Sequence, residues 1–180
     1  MNLPNKLTIA RIALIPVLVI LMYVEGPVAQ YAAAAVFALA SFTDFLDGHI
    51  ARSQGIVTDL GKFLDPIADK LLVLSCYIML VWQGLLPAFV VILILARELC
   101  VDGLRLIAVT KGKVIAAGKL GKLKTVSQIV LALWLLLLRR PIGGDVIGYI
   151  LLGWVVIITL WSGVDYFVKN GSVLVDEKQG

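Results

Sequence analysis

Charge is in short supply in this chain: Asp, Glu, Lys and Arg together make up 16% of its 180 residues, where soluble domains carry about 25%. With 61% hydrophobic residues and a mean hydropathy of +0.99, that shortage excludes a soluble globular enzyme and a disordered chain. Cysteine is scarcer still. Two residues cannot make a disulfide framework, so the redox compartment is left open. The 16 glycines show no three-residue period, which excludes a collagen-like chain. No low-complexity tract or internal repeat is present. Aromatic residues do not interleave with the basic ones, so the excess of positive charge is no argument for nucleic acid.

What the chain does have is long apolar runs. A bilayer core about 30 Å thick needs roughly 20 apolar residues per helix, and six runs approach that length. They cover Leu7 to Val24, Val28 to Arg52, Thr58 to Gln83, Leu86 to Thr110, Leu120 to Leu138 and Val146 to Val168. The expected fold is all-α, a polytopic membrane protein of six transmembrane helices in a single domain over 1–180. The first run is too long for the apolar part of a signal peptide and lacks a small-residue cleavage site, so it is expected to stay. The second is rich in alanine, as close helix packing in lipid prefers.

Fourteen of the 16 Lys and Arg fall on one side if the N-terminus is cytoplasmic; only Arg139 and Arg140 fall on the other. The loop from Lys111 to Lys124 carries much of this bias. Both termini are therefore expected inside, in a multi-pass protein of the inner, cytoplasmic membrane. The net charge of +4 suits anionic membrane lipids as partners.

Ionisable residues inside membrane helices are costly and mark function. The second and third runs hold Asp44, Asp47, Arg52, Asp59, Lys62, Asp65, Asp69 and Lys70. At 100° per residue, Asp44, Asp47, Gly48, Ala51 and Arg52 share one face within roughly 140°. Gly61, Asp65 and Asp69 recur at four-residue intervals on another. Four converging carboxylates cannot all stay ionised without a counter-charge. Hard divalent cations supply one, and two ions about 3.5–4 Å apart suit displacement at phosphorus. Gly48 and Ala51 leave room beside them, and Arg52 suits a phosphate. The plainer alternative is a buried ion network with Arg52, Lys62 and Lys70.

The stretch Asp44 to Asp69 reads D-x-x-D-G-x-x-A-R-x8-G-x-x-x-D-x-x-x-D, eight specified residues over 26 positions. In this it resembles the signature of the CDP-alcohol phosphotransferase family, whose members are six-helix, membrane-embedded and usually homodimeric. His49 falls in a variable slot of that signature. The start, Asn2 to Thr8 with Arg11 and Pro16, resembles bacterial members that use a glycerol phosphate acceptor. So do Gly61 to Lys70, Ala96-Arg97-Glu98 with Gly103-Leu104-Arg105, and Gly121 to Thr125. The resemblance implies transfer of a phosphatidyl group from CDP-diacylglycerol to sn-glycerol 3-phosphate, with release of CMP. It implies two divalent cations, Mg²⁺ or Mn²⁺, bridged by Asp44 and Asp65 and completed by Asp47 and Asp69. Asp69 would also be the general base. Gly48, Arg52 and Thr58 would contact the cytidine diphosphate, with Asn5 and Thr8 closing over it.

A doubly charged acceptor needs cations. Arg97 and Arg105 are about 80° apart round their helix and can point to one cavity. Lys122 and Lys124 open the next helix, where Gly118 and Gly121 leave free amides for phosphate oxygens. The expected glycerol-phosphate residues are Arg97, Arg105, Lys122 and Lys124, with Lys119 as a further candidate. Alternatively, Arg97 pairs with Glu98 or Asp102 and the lysines bind anionic lipid. Acceptors still open are inositol phosphate, serine and phosphatidylglycerol, the last giving cardiolipin. A cation transporter would also bury Asp, but gives no reason for the Gly48, Ala51 and Arg52 spacing. Pro16 and Pro66 are expected to bend their helices. Trp134 is expected to face lipid.

Overall fold

A computed structural model describes residues 3–54, 59–113, 115, 118–139 and 144–174; side chains at 3, 4, 44–54, 59, 60, 62 and 63 lie outside that description. The described chain is all helical. In order come α1 (Leu3–Tyr23), α2 (Pro27–Gln54), α3 (Asp59–Trp82), α4 (Ala88–Thr110), α5 (Lys119–Leu138) and α6 (Val146–Asn170), followed by a 3-10 turn, Gly171–Leu174. Each apolar run of the sequence becomes one helix. α1 and α3 run unbroken through Pro16 and Pro66.

Among the described residues, three helices are long and apolar enough to cross a membrane: Asn5–Tyr23, Lys119–Leu138 and the stretch Val146–Leu174. Charged residues stand on all six helices, among them Arg11 of α1, Asp69 of α3, Arg97 of α4, Lys124 of α5 and Asp165 of α6. α2 has 28 residues and rises about 42 Å at 1.5 Å per residue, longer than a bilayer core.

Contacts divide the chain into two compact units. One comprises α1, α2, α3 and the last turns of α5 (Met1–Leu86 with Ala132–Asp145). Its core runs through Leu18 and Met22 of α1, Ala33, Ala34, Phe37 and Ala40 of α2, and Leu72, Cys76, Tyr77 and Leu80 of α3, all buried. Alanine on the inner face of α2 lets backbones approach, the packing that lipid-embedded helices use in place of a hydrophobic drive. The other unit comprises α4, the first turns of α5, α6 and the 3-10 turn (Pro87–Leu131 with Val146–Gly180). There α4 packs on α6. Val101, Leu104 and Ala108 of α4 enclose Tyr166 of α6 and Val173 of the turn.

Helix ends leave backbone groups without intrahelical partners, and the structure supplies partners for several. Gly84 (φ 71°) and Gly112 (φ 69°) take the left-handed conformation that ends a helix with two closing bonds. In the first, Gly84 N donates to Val81 O and Leu85 N to Leu80 O; in the second, Gly112 N donates to Val109 O and Lys113 N to Ala108 O. Elsewhere glutamine supplies the donor. Gln83 Nε2 donates to Met22 O in the last turn of α1 (2.7 Å). Gln30 Nε2 donates to Leu136 O (2.9 Å) and Leu137 O (2.8 Å) in the last turn of α5. Trp134 is half-buried, its indole N–H donating to Asp145 Oδ2 (2.5 Å) just before α6 begins.

Replacing Gln30 by Leu removes the donor from two carbonyls, one part-buried and one exposed, at a cost of about 0.5–1.5 kcal/mol. The melting temperature of the detergent-solubilised variant is expected to fall by several degrees. An unchanged value would contradict this account of the α5 terminus.

Candidate active site

Within the first unit, α1 and α3 meet along a polar seam. Thr8 and Arg11 are three residues apart on α1 and so share a face, as do Asp65 and Asp69, four apart on α3. Thr8 Oγ1 donates to Asp65 Oδ1 at 2.6 Å. One turn further on, Arg11 Nη1 donates to Asp69 Oδ1 at 2.5 Å, an ion pair as well as a hydrogen bond. Thr8 and Arg11 are sealed in, 0% and 1% exposed, and Asn5 joins them on the buried face of α1. The carboxylates are less enclosed: the Asp69 side chain retains 37% exposure and Asp65 is half-buried. A carboxylate one turn from another is tolerable here because a guanidinium sits against one and a hydroxyl against the other. Gly61, one turn before Asp65, is buried and has no side chain to crowd that face.

The chemistry of this donor set suits a hard divalent cation. Two carboxylates one turn apart offer oxygen ligands, partly open, with one oxygen of each anchored by α1. Among the described residues no group of three or more His, Cys, Asp and Glu gathers as a metal site. Asp44 and Asp47, the other two expected ligands, have side chains outside the described residues, as do Gly48, His49 and Arg52, and Thr58 lies outside them altogether. Of the residues expected to close over a nucleotide, Thr8 is bonded to a candidate ligand and Asn5 is buried on the same face.

The expected acceptor residues belong to the second unit. Arg97 and Lys124 come together on one carboxylate: Arg97 Nη1 lies 3.2 Å from Glu98 Oε1, and Lys124 Nζ bonds the same oxygen. All three are nearly enclosed, with side-chain exposures of 12%, 11% and 5% for Arg97, Glu98 and Lys124. Two glycines make room for the arginine. A Cβ on Gly121 would stand 3.8 Å from Arg97 Nη2, and one on Gly163 would stand 3.3 Å from its Cγ. Arg97 Nε is buried and has no hydrogen-bond partner among the described residues. Arg105 is not drawn into this cluster. Eight residues along α4 place it about 12 Å further up the axis, where its Nε donates to Tyr166 Oη at 2.8 Å. Lys122 and Lys119 are exposed at the start of α5.

Three residues at these sites have no role assigned from sequence. Arg11 is one; its spacing from Thr8 was the available signal. Glu98 is expected only as an alternative partner of Arg97, a pair the structure shows; its second cation comes from 26 residues away. Tyr166 is 61 residues from Arg105 and no local pattern marks it.

The fold and this geometry define a class: an all-helical membrane protein with paired carboxylates on one helix and clustered cations on others. The profile of the CDP-alcohol phosphatidyltransferase family matches residues 1–161, and the chain belongs to that family. It is 46% identical to the CDP-diacylglycerol–glycerol-3-phosphate 3-phosphatidyltransferase of Bacillus subtilis (strain 168), over 96% of this chain and 97% of that one. The enzyme of the same name from Rickettsia typhi is 45% identical over 92% of this chain and 95% of its own. A probable phosphatidylglycerophosphate synthase of Mycobacterium tuberculosis is 40% identical over 93% and 81%.

Removing one partner from a buried charge cluster leaves the others uncompensated, at about 3–5 kcal/mol. Glu98→Gln is therefore expected to lower the melting temperature markedly. Adding Lys124→Gln should recover much of the loss, since the pair would then be neutral together. A double variant less stable than the single one would contradict the shared-carboxylate picture.

Proposed function

We propose that this protein transfers a phosphatidyl group from CDP-diacylglycerol to sn-glycerol 3-phosphate, giving phosphatidylglycerophosphate and CMP. The observation that carries the reading is the α1–α3 seam, where two aspartates of the family signature are held by Thr8 and Arg11. The names of relatives aligned over nearly the whole chain support the same reaction.

In this reading Asp44, Asp47, Asp65 and Asp69 hold two divalent cations, Mg²⁺ or Mn²⁺. When bound, those ions neutralise charge on the pyrophosphate and on the departing CMP. Thr8 holds Asp65 in one orientation, and Asn5, Gly48, Arg52 and Thr58 complete the contacts with the cytidine diphosphate. Asp69, oriented by Arg11, accepts the proton of the attacking glycerol hydroxyl. The hydroxyl oxygen then bonds to the phosphorus that carries the diacylglycerol. The bond from that phosphorus to the CMP oxygen breaks, and its electron pair leaves with CMP. Positioning contributes more than the basicity of Asp69, because a carboxylate beside cations is a weak base. Arg97, Arg105, Lys122 and Lys124 bind the phosphate of the acceptor.

The lysine-rich connection between α4 and α5 favours a cytoplasmic site with both termini inside, in the inner membrane. The chain acts as one membrane domain over 1–180, paired as a homodimer, among anionic lipids.

The test is release of CMP by purified protein in detergent, given CDP-diacylglycerol, Mg²⁺ or Mn²⁺, and one acceptor at a time. Turnover is expected with glycerol 3-phosphate. Turnover only with inositol phosphate or phosphatidylglycerol would move the acceptor assignment, and none with any acceptor would overturn the reading. Thr8→Val should cost about 10–100-fold in kcat, the usual loss when a ligand's supporting bond is removed. Asp65→Asn should cost more while the protein still inserts. Full activity in Asp65→Asn would contradict the assignment of that carboxylate.

A further inference from the structure

Of the three arginines with described side chains in helices, two are paired with a carboxylate. Arg11 meets Asp69 and Arg97 meets Glu98. Arg105 is different: its partner is a phenol. Its Nε donates to Tyr166 Oη at 2.8 Å, and its guanidinium carbon lies 5.3 Å from the centre of the same ring. Both contacts orient the guanidinium, and neither cancels its charge.

We propose that Tyr166 is the residue that positions Arg105 to receive a phosphate monoester dianion, an inference that rests on the acceptor role given to Arg105 above. An untethered arginine carries rotamer entropy that binding must remove. Fixing Nε removes part of that cost beforehand. It also sets the plane of the group and turns the two terminal amino groups outward as a pair, the geometry that takes two oxygens of one phosphate. Those amino groups make no hydrogen bond among the described residues, and Arg105 is half-buried rather than sealed.

The phenol can serve as a fixture because it is itself held. Tyr166 is 6% exposed, with its ring among Val101, Leu104, Ala108 and Val173. Lys111 Nζ donates to Val173 O at 2.8 Å, tying the 3-10 turn to the end of α4. Asn170 Nδ2 donates to Tyr166 O at 2.9 Å, closing the last turn of α6. Tyr166 also lines a cavity of about 580 Å³ whose wall includes Lys113, Lys119 and the paired Lys169 and Asp165. The end of α6 and the 3-10 turn thus hold one cation of the acceptor site in register.

Tyr166→Phe keeps the ring and its packing and removes only the oxygen that accepts from Nε. It is expected to raise KM for glycerol 3-phosphate about tenfold, in line with the loss of one hydrogen bond to a charged group. KM for CDP-diacylglycerol and the melting temperature should not change. In an Arg105→Lys background, which keeps the charge but has no Nε donor in that place, Tyr166→Phe should add nothing. Arg105→Ala, measured beside them, separates the two levels of the argument. If it raises KM for glycerol 3-phosphate while Tyr166→Phe does not, the positioning role is overturned and the acceptor reading stands. If Arg105→Ala leaves that KM unchanged, the acceptor reading fails and the inference with it. A rise in both KM values, a fall in melting temperature, or an additive effect in the Arg105→Lys background would make Tyr166 a structural residue only.

Discussion

An ionised side chain in a membrane helix persists only where something replaces its water, and the described charges of this chain are arranged around that constraint. Asp69 has Arg11, and Asp65 has the hydroxyl of Thr8. Glu98 has two cations, one from its own helix and one from α5. Even neutral backbone carbonyls at helix ends are met by glutamine side chains from other helices. The polar atoms therefore dictate which helices meet and in what register, while the apolar surface between them is interchangeable with lipid tails.

That arrangement distributes the chemistry. The first unit holds carboxylates on α3, each braced by a side chain of α1. The second holds cations, two of them gathered on a carboxylate and one oriented by a phenol. The partners also differ in consequence. A carboxylate partner neutralises an arginine, whereas a phenol leaves its charge available.

Much of this was legible from the sequence. The six helices follow from run length, and the clustering of Asp65 and Asp69 on one face follows from their four-residue spacing in α3. Helix ends shifted by a few residues, because polar residues such as Asn5, Lys6, Gln54, Lys119 and Lys169 continue the helical backbone beyond the apolar runs. The pairings were harder to see. Thr8 and Arg11 stand in plain sight at helical spacing, but nothing local says that α1 will lie on the carboxylate face of α3. Lys124 was expected at an acceptor site, and its burial on Glu98 depends on how α5 packs against α4. The partnership of Arg105 with Tyr166 is set wholly by the packing of α6 on α4. Periodicity fixes a residue's face; only tertiary packing fixes what that face meets.

The central claim is that four signature aspartates, two of them on the seam between α1 and α3, form a site for two divalent cations. Counting Mn²⁺ bound to the purified protein by electron paramagnetic resonance titration tests it without reference to turnover. The account predicts two ions per chain in the presence of a cytidine diphosphate headgroup, and loss of at least one in Asp65→Asn. No bound Mn²⁺ in the folded protein, or the same count after that substitution, would contradict it.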